Sequence, residues 1–444
     1  MGKYFGTDGA RGIANEELDC SIAFGIGQAA ATVLAEECAH RAVIYVGKDT
    51  RVSSDMLEAA LVAGVTSAGA DAVLLGVAPT PAVAHLVKEN ADAGIMISAS
   101  HNPFEYNGIK LFSGGGYKLS DATEARVERL MDEGVKLKTG AEIGRVRNAH
   151  DLLEIYEENL LSAVSGDVAG LNILIDCANG AAAATAPALF RRLPLACCDF
   201  MSVSPDGINI NAKCGSTDLA ALCAAVREGG YDAGIAFDGD ADRCLMVDER
   251  GAPLNGDIML ALLAREERRL GRLNGDTLVA TVMSNFGLSV WAREQGIKLR
   301  AAAVGDRYVL EDMLAGDYSL GGENSGHVIF LRHSTTGDGQ LTALKLLSLL
   351  GSSGAKLSEL AGAVTLYPQV LLNVGVSAAN RAAAASHPDV LRAVARAEDA
   401  LGGAGRVLVR PSGTENLVRV MIEGRDKQEI ESLAASVADV IRGL

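Results

Sequence analysis

The chain has 444 residues, more than one hydrophobic core can serve, and a composition that is 49% hydrophobic but only 4% aromatic fits several α/β layers packed by small aliphatic side chains. A formal charge of −16 argues against a nucleic-acid partner, which calls for a basic face, while leaving room for a small anionic ligand held by the local field of a cleft. No apolar run approaches the ~18 residues of a membrane span, Met1-Gly-Lys-Tyr4 starts without a signal-peptide pattern, and the eight cysteines show no CxxC or zinc spacing, so a cytoplasmic protein with reduced thiols is expected.

Phe5-Gly-Thr-Asp-Gly-Ala-Arg-Gly12 is a Gly-rich opening whose backbone and Arg11 can approach an anion, with a plain N-terminal turn as the competing reading. A βα alternation follows. Helices are expected over Ser21–Cys38 and Ser53–Ala68, the second capped by Ser53 or Ser54, with strands over Ala42–Val46 and Ala72–Leu75. Lys48-Asp-Thr-Arg51 belongs either to an anion-binding rim or to a solvated loop, and Pro79-Thr80-Pro81 opens another helix.

Gly94–Ala99 is apolar enough for a buried strand, whose pleat puts Ser98 and Ser100 on one face and His101 on the other; Asn102-Pro103 then makes a turn. A serine is thus held at the mouth of an open α/β sheet, where such sheets place their ligands. A Ser-rich strand end capping its own turn is the alternative.

A helix over His150–Val164 leads into a second alternation, with strands Asn172–Asp176 and Asp232–Phe237, a turn at Ala178–Gly180, and helices Ala183–Arg192 and Thr217–Glu228. The polar connection Asp206–Asn211 and Cys214–Asp218 has no assigned role. Asp238-Gly-Asp-Ala-Asp-Arg243 then sets three carboxylates at alternate positions of an extended loop, where they repel unless a cation joins them, and hard oxygen ligands in small number suit Mg²⁺. An EF-hand fails at its sixth position, which requires Gly and holds Arg243; a solvated acidic turn is the other alternative.

The pattern restarts with helix Ile258–Leu270, strand Thr277–Val282, helix Gly287–Gln295 and strand Lys298–Ala302. In Leu320-Gly-Gly-Glu-Asn-Ser-Gly-His327 the alternating Glu323, Ser325 and His327 can offer polar groups to neighbouring hydroxyls, with a generic hairpin turn as the competing reading. The tail differs: strands Val370–Val376, Arg406–Arg410 and Leu417–Glu423 alternate with helices Asp389–Leu401 and Lys427–Ile441. Between its later strands, Arg410-Pro-Ser-Gly-Thr-Glu-Asn416 offers N–H groups, hydroxyls and arginines as an anion nest.

Ser98-Ala-Ser-His-Asn-Pro103 with Asn107-Gly-Ile-Lys110 resembles the phosphoserine loop of the α-D-phosphohexomutase superfamily, and the next three motifs resemble its metal, sugar and phosphate loops in order. The resemblance implies that Ser100 carries a phosphoryl group passed to and from a sugar phosphate, with Arg11 facing it. It further implies one Mg²⁺ per chain held by Ser100, Asp238, Asp240 and Asp242, sugar recognition by Glu323, Ser325 and His327, and phosphate binding by Arg410, Ser412, Gly413, Thr414 and Arg419. Lys110, His101 and Arg243 are candidate acid/base groups, Lys110 first by resemblance.

The Phe5–Gly12 opening, Val304-Gly-Asp-Arg-Tyr308 and the doubled glycine before Glu323 point to the amino-sugar branch of this superfamily. There an intramolecular phosphotransferase interconverts glucosamine 6-phosphate and glucosamine 1-phosphate through glucosamine 1,6-bisphosphate, for cell-wall precursors. Asn324 stands where Gln is more usual, and Asn416 where Pro is. A mutase of neutral sugar phosphates is the runner-up; a serine phosphatase and a sugar-phosphate sensor are the readings from other classes. Amino sugar phosphates are the expected partners, without nucleic acid or membrane, and a homodimer is allowed. The expected fold is three similar α/β mixed-sheet domains (1–152, 153–254, 255–366) and a smaller α+β C-terminal domain (367–444) around a central cleft.

Overall fold

The computed structural model describes residues 2–6, 8–36, 38–377, 384–412 and 416–444. The chain forms two compact units, Met1–Met283 with Lys298–Ala363, and Ser284–Ile297 with Val364–Leu444. Among the described residues no helix is long and apolar enough to cross a membrane.

Three sheets build the larger unit. The first contains β1 (Ala10–Ile13), β2 (Val43–Lys48), β3 (Asp71–Val77), β4 (Ala93–Ile97), β5 (Tyr106–Ser113) and β6 (Val146–Asn148), in the order β1-β5-β4-β2-β3-β6. The second contains β7 (Asn172–Asp176), β8 (Cys197–Met201), β9 (Ala233–Phe237), β10 (Cys244–Asp248) and β11 (Pro253–Leu254), in the order β11-β10-β9-β7-β8. The third runs β13 (Lys298–Ala302), β12 (Thr277–Thr281), β14 (Leu320–Gly322), β15 (Val328–Phe330).

One four-strand pattern recurs in all three. β2, β7 and β12 each lie between two parallel neighbours, and the later neighbour (β4, β9 or β14) is followed by an antiparallel strand. The triplication is therefore one of topology, and it needs no sequence identity: buried apolar runs such as Ala-Gly-Ile-Met-Ile in β4 and Ala-Gly-Ile-Ala-Phe in β9 are enough to specify central parallel strands.

Helices pack on these sheets where small residues allow close approach. The helix Cys20–Ala35, capped by the Asp19 carboxylate accepting from Ile22 N, crosses Val52–Ser67 so closely that a Cβ on Gly27 would strike the Leu61 carbonyl. Neither Ser53 nor Ser54 caps the second helix: Arg51 is its N-cap residue, and the Ser54 hydroxyl is spent on Asp49 at 2.9 Å.

The smaller unit holds an antiparallel sheet in the order β16 (Gln369–Gly375), β18 (Leu417–Glu423), β17 (Arg406–Pro411), covered by helices Pro388–Leu401 and Lys427–Arg442. Ser284–Ile297 joins this unit: Asn285 donates to the Tyr367 carbonyl and to Glu423, both at 3.0 Å, and Phe286 meets Tyr367 edge-on.

Candidate active site

The three loops that carry reactive side chains occupy equivalent places. Residues 98–105, 238–243 and 323–327 each connect the second parallel neighbour of their sheet to the antiparallel strand that follows. The second and third are tied directly, since Arg243 bridges His327 and Cys244 N donates to Gly326 O at 3.0 Å.

Ser100 sits in a left-handed turn at φ 52°, a conformation that costs a non-glycine residue ~1–3 kcal/mol unless its surroundings enforce it. They do. Its N–H donates to Ser98 Oγ at 2.8 Å, and Ser98 Oγ donates to Asp49 at 2.7 Å. Its carbonyl accepts from Arg51 and from Asn211 Nδ2, each at 2.9 Å, and Arg51 reaches on to the carbonyls of Asn102, Pro103 and Tyr106. Gly239 closes the turn from the second sheet, where a Cβ would lie 2.5 Å from the Ser100 carbonyl oxygen.

Strand pleating consequently does not place these side chains. β4 ends at Ile97, and Ser100 Oγ and His101 Nδ1 share one side, 3.2 Å apart. Nor is the Lys48–Arg51 loop solvated at its centre, because the Asp49–Arg51 ion pair is fully buried. Arg51→Met strands the Asp49 carboxylate without its partner, so a loss of ~3–5 kcal/mol is expected. A wild-type midpoint in thermal unfolding would refute the clamp.

The Asp238–Arg243 segment is a turn, with Ala241 at φ 57° and its N–H donating to Asp238 O, rather than an extended run. It still converges the carboxylates: one oxygen from each of Asp238, Asp240 and Asp242 lies within 4.8 Å of the others, all three residues buried. Ser100 Oγ donates to Asp238 Oδ2 at 2.6 Å, and Asp240 Oδ2 accepts from Thr80 Oγ1 at 2.6 Å and from Lys110 Nζ at 2.7 Å.

Burial, then the Asp242 and Asp240 charges, pushes the Asp238 carboxyl well above the usual carboxylate range. Asp242 goes the other way: burial opposes its charge, but Lys110, His327 and Arg243 hold it well below that range. Asp240 Oδ1 and Asp242 Oδ1 are buried with no hydrogen-bond partner among the described residues. Orphaned, convergent carboxylate oxygens of this kind fit a hard divalent cation.

A cleft of about 680 Å³ opens here, with Arg11, His101, Arg243, Glu323 and His327 in its wall. Arg11 is oriented by Asp8, which accepts from its guanidinium through the side chain and, at 3.2 Å, through the backbone carbonyl. Burial, then Arg243 and Arg11, brings His101 down to about 4, so its ring is neutral at pH 7. Burial opposes the charge of Lys110, but Asp240, Asp8 and Asp242 raise its pKa and keep it an ammonium.

Glu323 accepts from Gly305 N at 3.2 Å, and the Ser325 hydroxyl is buried without a hydrogen-bond partner among the described residues. Burial also raises the Glu124 carboxyl in the cleft wall to about 7. Arg307 lines the same cleft, paired with Asp121 and with Glu311 at 3.0 Å.

In the smaller unit Arg410 and Arg419 face each other across β17 and β18, and burial followed by the Arg419 charge lowers the pKa of Arg410. Like charges in direct register repel, and an anion between them relieves the cost. Ser412 is buried at the strand end, its N–H donating to Leu417 O at 2.9 Å; Gly413 and Thr414 lie outside the described residues.

Several residues at the site had no sequence signal of their own. Thr80, Asn211 and Lys118 look like ordinary loop or helix-start residues, and the Lys48–Arg51 loop, read as an anion-binding rim or a solvated loop, gave no sign of the buried Asp49–Arg51 ion pair. Asp8 and Asp306 lie inside motifs read for their arginines, Arg11 and Arg307. An acidic residue one to three positions from a recurring motif arginine was the available clue.

Family models match the chain in four successive parts. They describe phosphoglucomutase/phosphomannomutase alpha/beta/alpha domain I over residues 2–138, domain II over 154–251, domain III over 255–367, and the C-terminal domain over 371–440. The chain is 51% identical to the phosphoglucosamine mutase of Acetivibrio thermocellus, covering 99% of both chains. It is 52% identical to that of Saccharopolyspora erythraea, covering 100% of both. Among solved structures, a phosphoglucomutase/phosphomannomutase family protein from Burkholderia thailandensis shares the fold with a TM-score of 0.82 at 24% identity, over 99% of this chain and 97% of the other.

Proposed function

Because the chain belongs to the phosphoglucomutase/phosphomannomutase family, we propose that it interconverts glucosamine 6-phosphate and glucosamine 1-phosphate, a reading supported by the phosphoglucosamine mutases to which it is 51% and 52% identical. The observation that carries the reading is the Ser100 hydroxyl, held in a left-handed turn and aimed at a buried carboxylate triad beside a polar cleft.

On this reading residues 1–152, 153–254, 255–366 and 367–444 carry the phosphoserine, metal, sugar and phosphate loops. Phosphorylated Ser100 gives its phosphoryl group to the free O1 of glucosamine 6-phosphate: the P–Oγ bond breaks, a P–O1 bond forms, and the hydroxyl proton passes to the Ser100 oxygen. The bisphosphorylated sugar turns around, and the reverse exchange at O6 restores phosphoserine and releases glucosamine 1-phosphate.

Phosphoryl transfer has a loose transition state, so the protein's task is to position groups and stabilise charge. Asp238, Asp240 and Asp242, with the Ser100 oxygen, would hold Mg²⁺, which when bound supplies positive charge to the transferring oxygens. Arg11 and the Lys110 ammonium add cationic donors on the protein side. Lys110 is assigned the proton exchange, with Arg243 beside the triad and His101, neutral and 3.2 Å from Ser100 Oγ, as the other groups in reach. Glu323, Ser325 and His327 are assigned the sugar hydroxyls. Arg410, Ser412, Gly413, Thr414 and Arg419 are assigned the phosphate that is not reacting.

Purified protein primed with glucosamine 1,6-bisphosphate should convert glucosamine 6-phosphate to glucosamine 1-phosphate, with kcat/KM exceeding that for glucose and mannose phosphates by ~10²-fold or more, as a site built to hydrogen-bond the amine would produce. A preference for a neutral sugar overturns the amino-sugar assignment. Release of inorganic phosphate at the turnover rate, with no isomer, overturns the mutase.

A further inference from the structure

Six side chains near the cleft close into a ring of alternating basic and acidic residues. Lys110 Nζ lies 3.7 Å from Asp8 Oδ2, and Asp8 Oδ1 is 2.5 Å from Lys118 Nζ. Lys118 Nζ is also 2.5 Å from Asp306 Oδ2, which stands 3.6 Å from His327 Nε2. His327 Nδ1 is 3.6 Å from Asp242 Oδ2, which returns to Lys110 Nζ at 3.8 Å. No member is more than 26% exposed.

The ring links all three sheets of the larger unit. Asp8 just precedes β1 and Lys110 lies in β5 of the first; Asp242 belongs to the metal loop of the second; Asp306 and His327 belong to the third, where Asp306 begins the helix Asp306–Gly316 and His327 ends the sugar loop. Lys118 lies beyond β5 in a loop pinned at two points, by its backbone bridge to Phe112 and by Thr335 Oγ1 donating to Gly116 O at 2.5 Å.

Nothing in the catalytic scheme uses Lys118. Between Asp8 and Asp306 it is nevertheless the cation that joins the phosphoryl-transfer side of the ring to the sugar-reading side. Without it the Asp8 and Asp306 carboxylates, both of low exposure, lose the ammonium between them; Asp8 keeps Arg11 and Asp306 keeps His327 at 3.6 Å, but neither of those contacts spans from Asp8 to Asp306.

We propose that Lys118 is a positioning residue whose ammonium draws the first and third sheets together, fixing the distance between Ser100 and the Glu323–His327 loop so that the bisphosphorylated sugar is retained while it turns around. The inference deepens the mutase reading and rests on it. The turn-around is the step most exposed to cleft width, because neither phosphate is then bonded to the enzyme. A misplacement of about 1 Å can cost about 10²-fold in rate.

The test compares wild type with Lys118→Met, Lys118→Arg and the double variant Lys118→Met/Asp306→Asn. For each, two quantities are measured: the fraction of labelled glucosamine 1,6-bisphosphate that escapes per turnover, and the concentration of that bisphosphate needed for half-maximal activity. Lys118→Met is expected to raise both by about tenfold or more, since the ammonium that bridges Asp8 and Asp306 is gone and the two carboxylates repel. Lys118→Arg should recover part of the loss, and Asp306→Asn should suppress the Lys118→Met defect by removing the exposed repulsion.

A merely structural role predicts lower thermal stability and fewer active molecules, with escape per turnover unchanged; that outcome overturns the proposal. So does a double variant no better than the single one. If Lys118→Met does not fold, unchanged escape in Lys118→Arg and in Asp306→Asn refutes it equally. A wild type that forms no isomer defeats the mutase reading itself, before any variant is compared.

Discussion

Ser100→Ala is expected to lower kcat/KM by ~10⁴-fold or more, because the variant has no oxygen on which to carry the phosphoryl group through the half-reaction. Binding should survive. The turn around Ser100 is held by its backbone, through Ser98, Arg51 and Asn211, and none of those bonds uses the lost hydroxyl. Titration calorimetry with glucosamine 6-phosphate should therefore give near wild-type affinity, while intact-mass analysis of the wild type should find one phosphoryl group that maps to Ser100. A Ser100→Ala enzyme that keeps more than about a hundredth of wild-type kcat/KM would place the nucleophile elsewhere.

Chelation of divalent cations should abolish turnover, by ~10³-fold or more, with recovery on adding Mg²⁺. The same treatment should lower the unfolding midpoint, since a ligand that binds only the folded state contributes about 2.7 kcal/mol at one hundred times its dissociation constant. Asp238→Asn separates the two effects. In the chelated protein it relieves repulsion among three buried carboxylates and should raise the midpoint, whereas in Mg²⁺ it should leave the enzyme inactive. Full activity after exhaustive chelation, or a chelated Asp238→Asn that unfolds at lower temperature than the chelated wild type, would remove the cation from this site.

The candidate chemistry was legible in short motifs because each loop packs several chemical demands into a few residues. Three aspartates at alternate positions cannot share a turn without a counter-charge, and two arginines flanking Pro-Ser-Gly read as an anion site from composition alone. The strands were legible too, as the observed bounds of β7, β13 and β18 coincide with those expected from the sequence. Residue types gave no such signal for the second helix's cap, where a serine was the better intrinsic candidate and Arg51 stands instead. The hydroxyls of Ser53 and Ser54 are recruited by Asn107, and that of Ser54 by Asp49, to build the floor of the Ser100 loop. Asn211 was equally silent, because its value lies in reaching from the second sheet to a carbonyl 111 positions earlier in the chain.

By itself the sequence determined which side chains the chemistry can draw on: one serine on a rigid loop, three clustered carboxylates, a polar Gly-rich turn and a pair of arginines. Local spacing was sufficient for that, since each group is complete within about ten residues. Tertiary structure decided that three of these loops occupy the same topological position in three repeated sheets, and that Asp8, Lys110, Lys118, Asp242, Asp306 and His327 close into one ring of alternating acidic and basic residues. The physical reason is that electrostatic and steric partnership depends on distance in space: a carboxylate and an ammonium 188 positions apart in the chain interact through a 2.5 Å contact that no local pattern encodes.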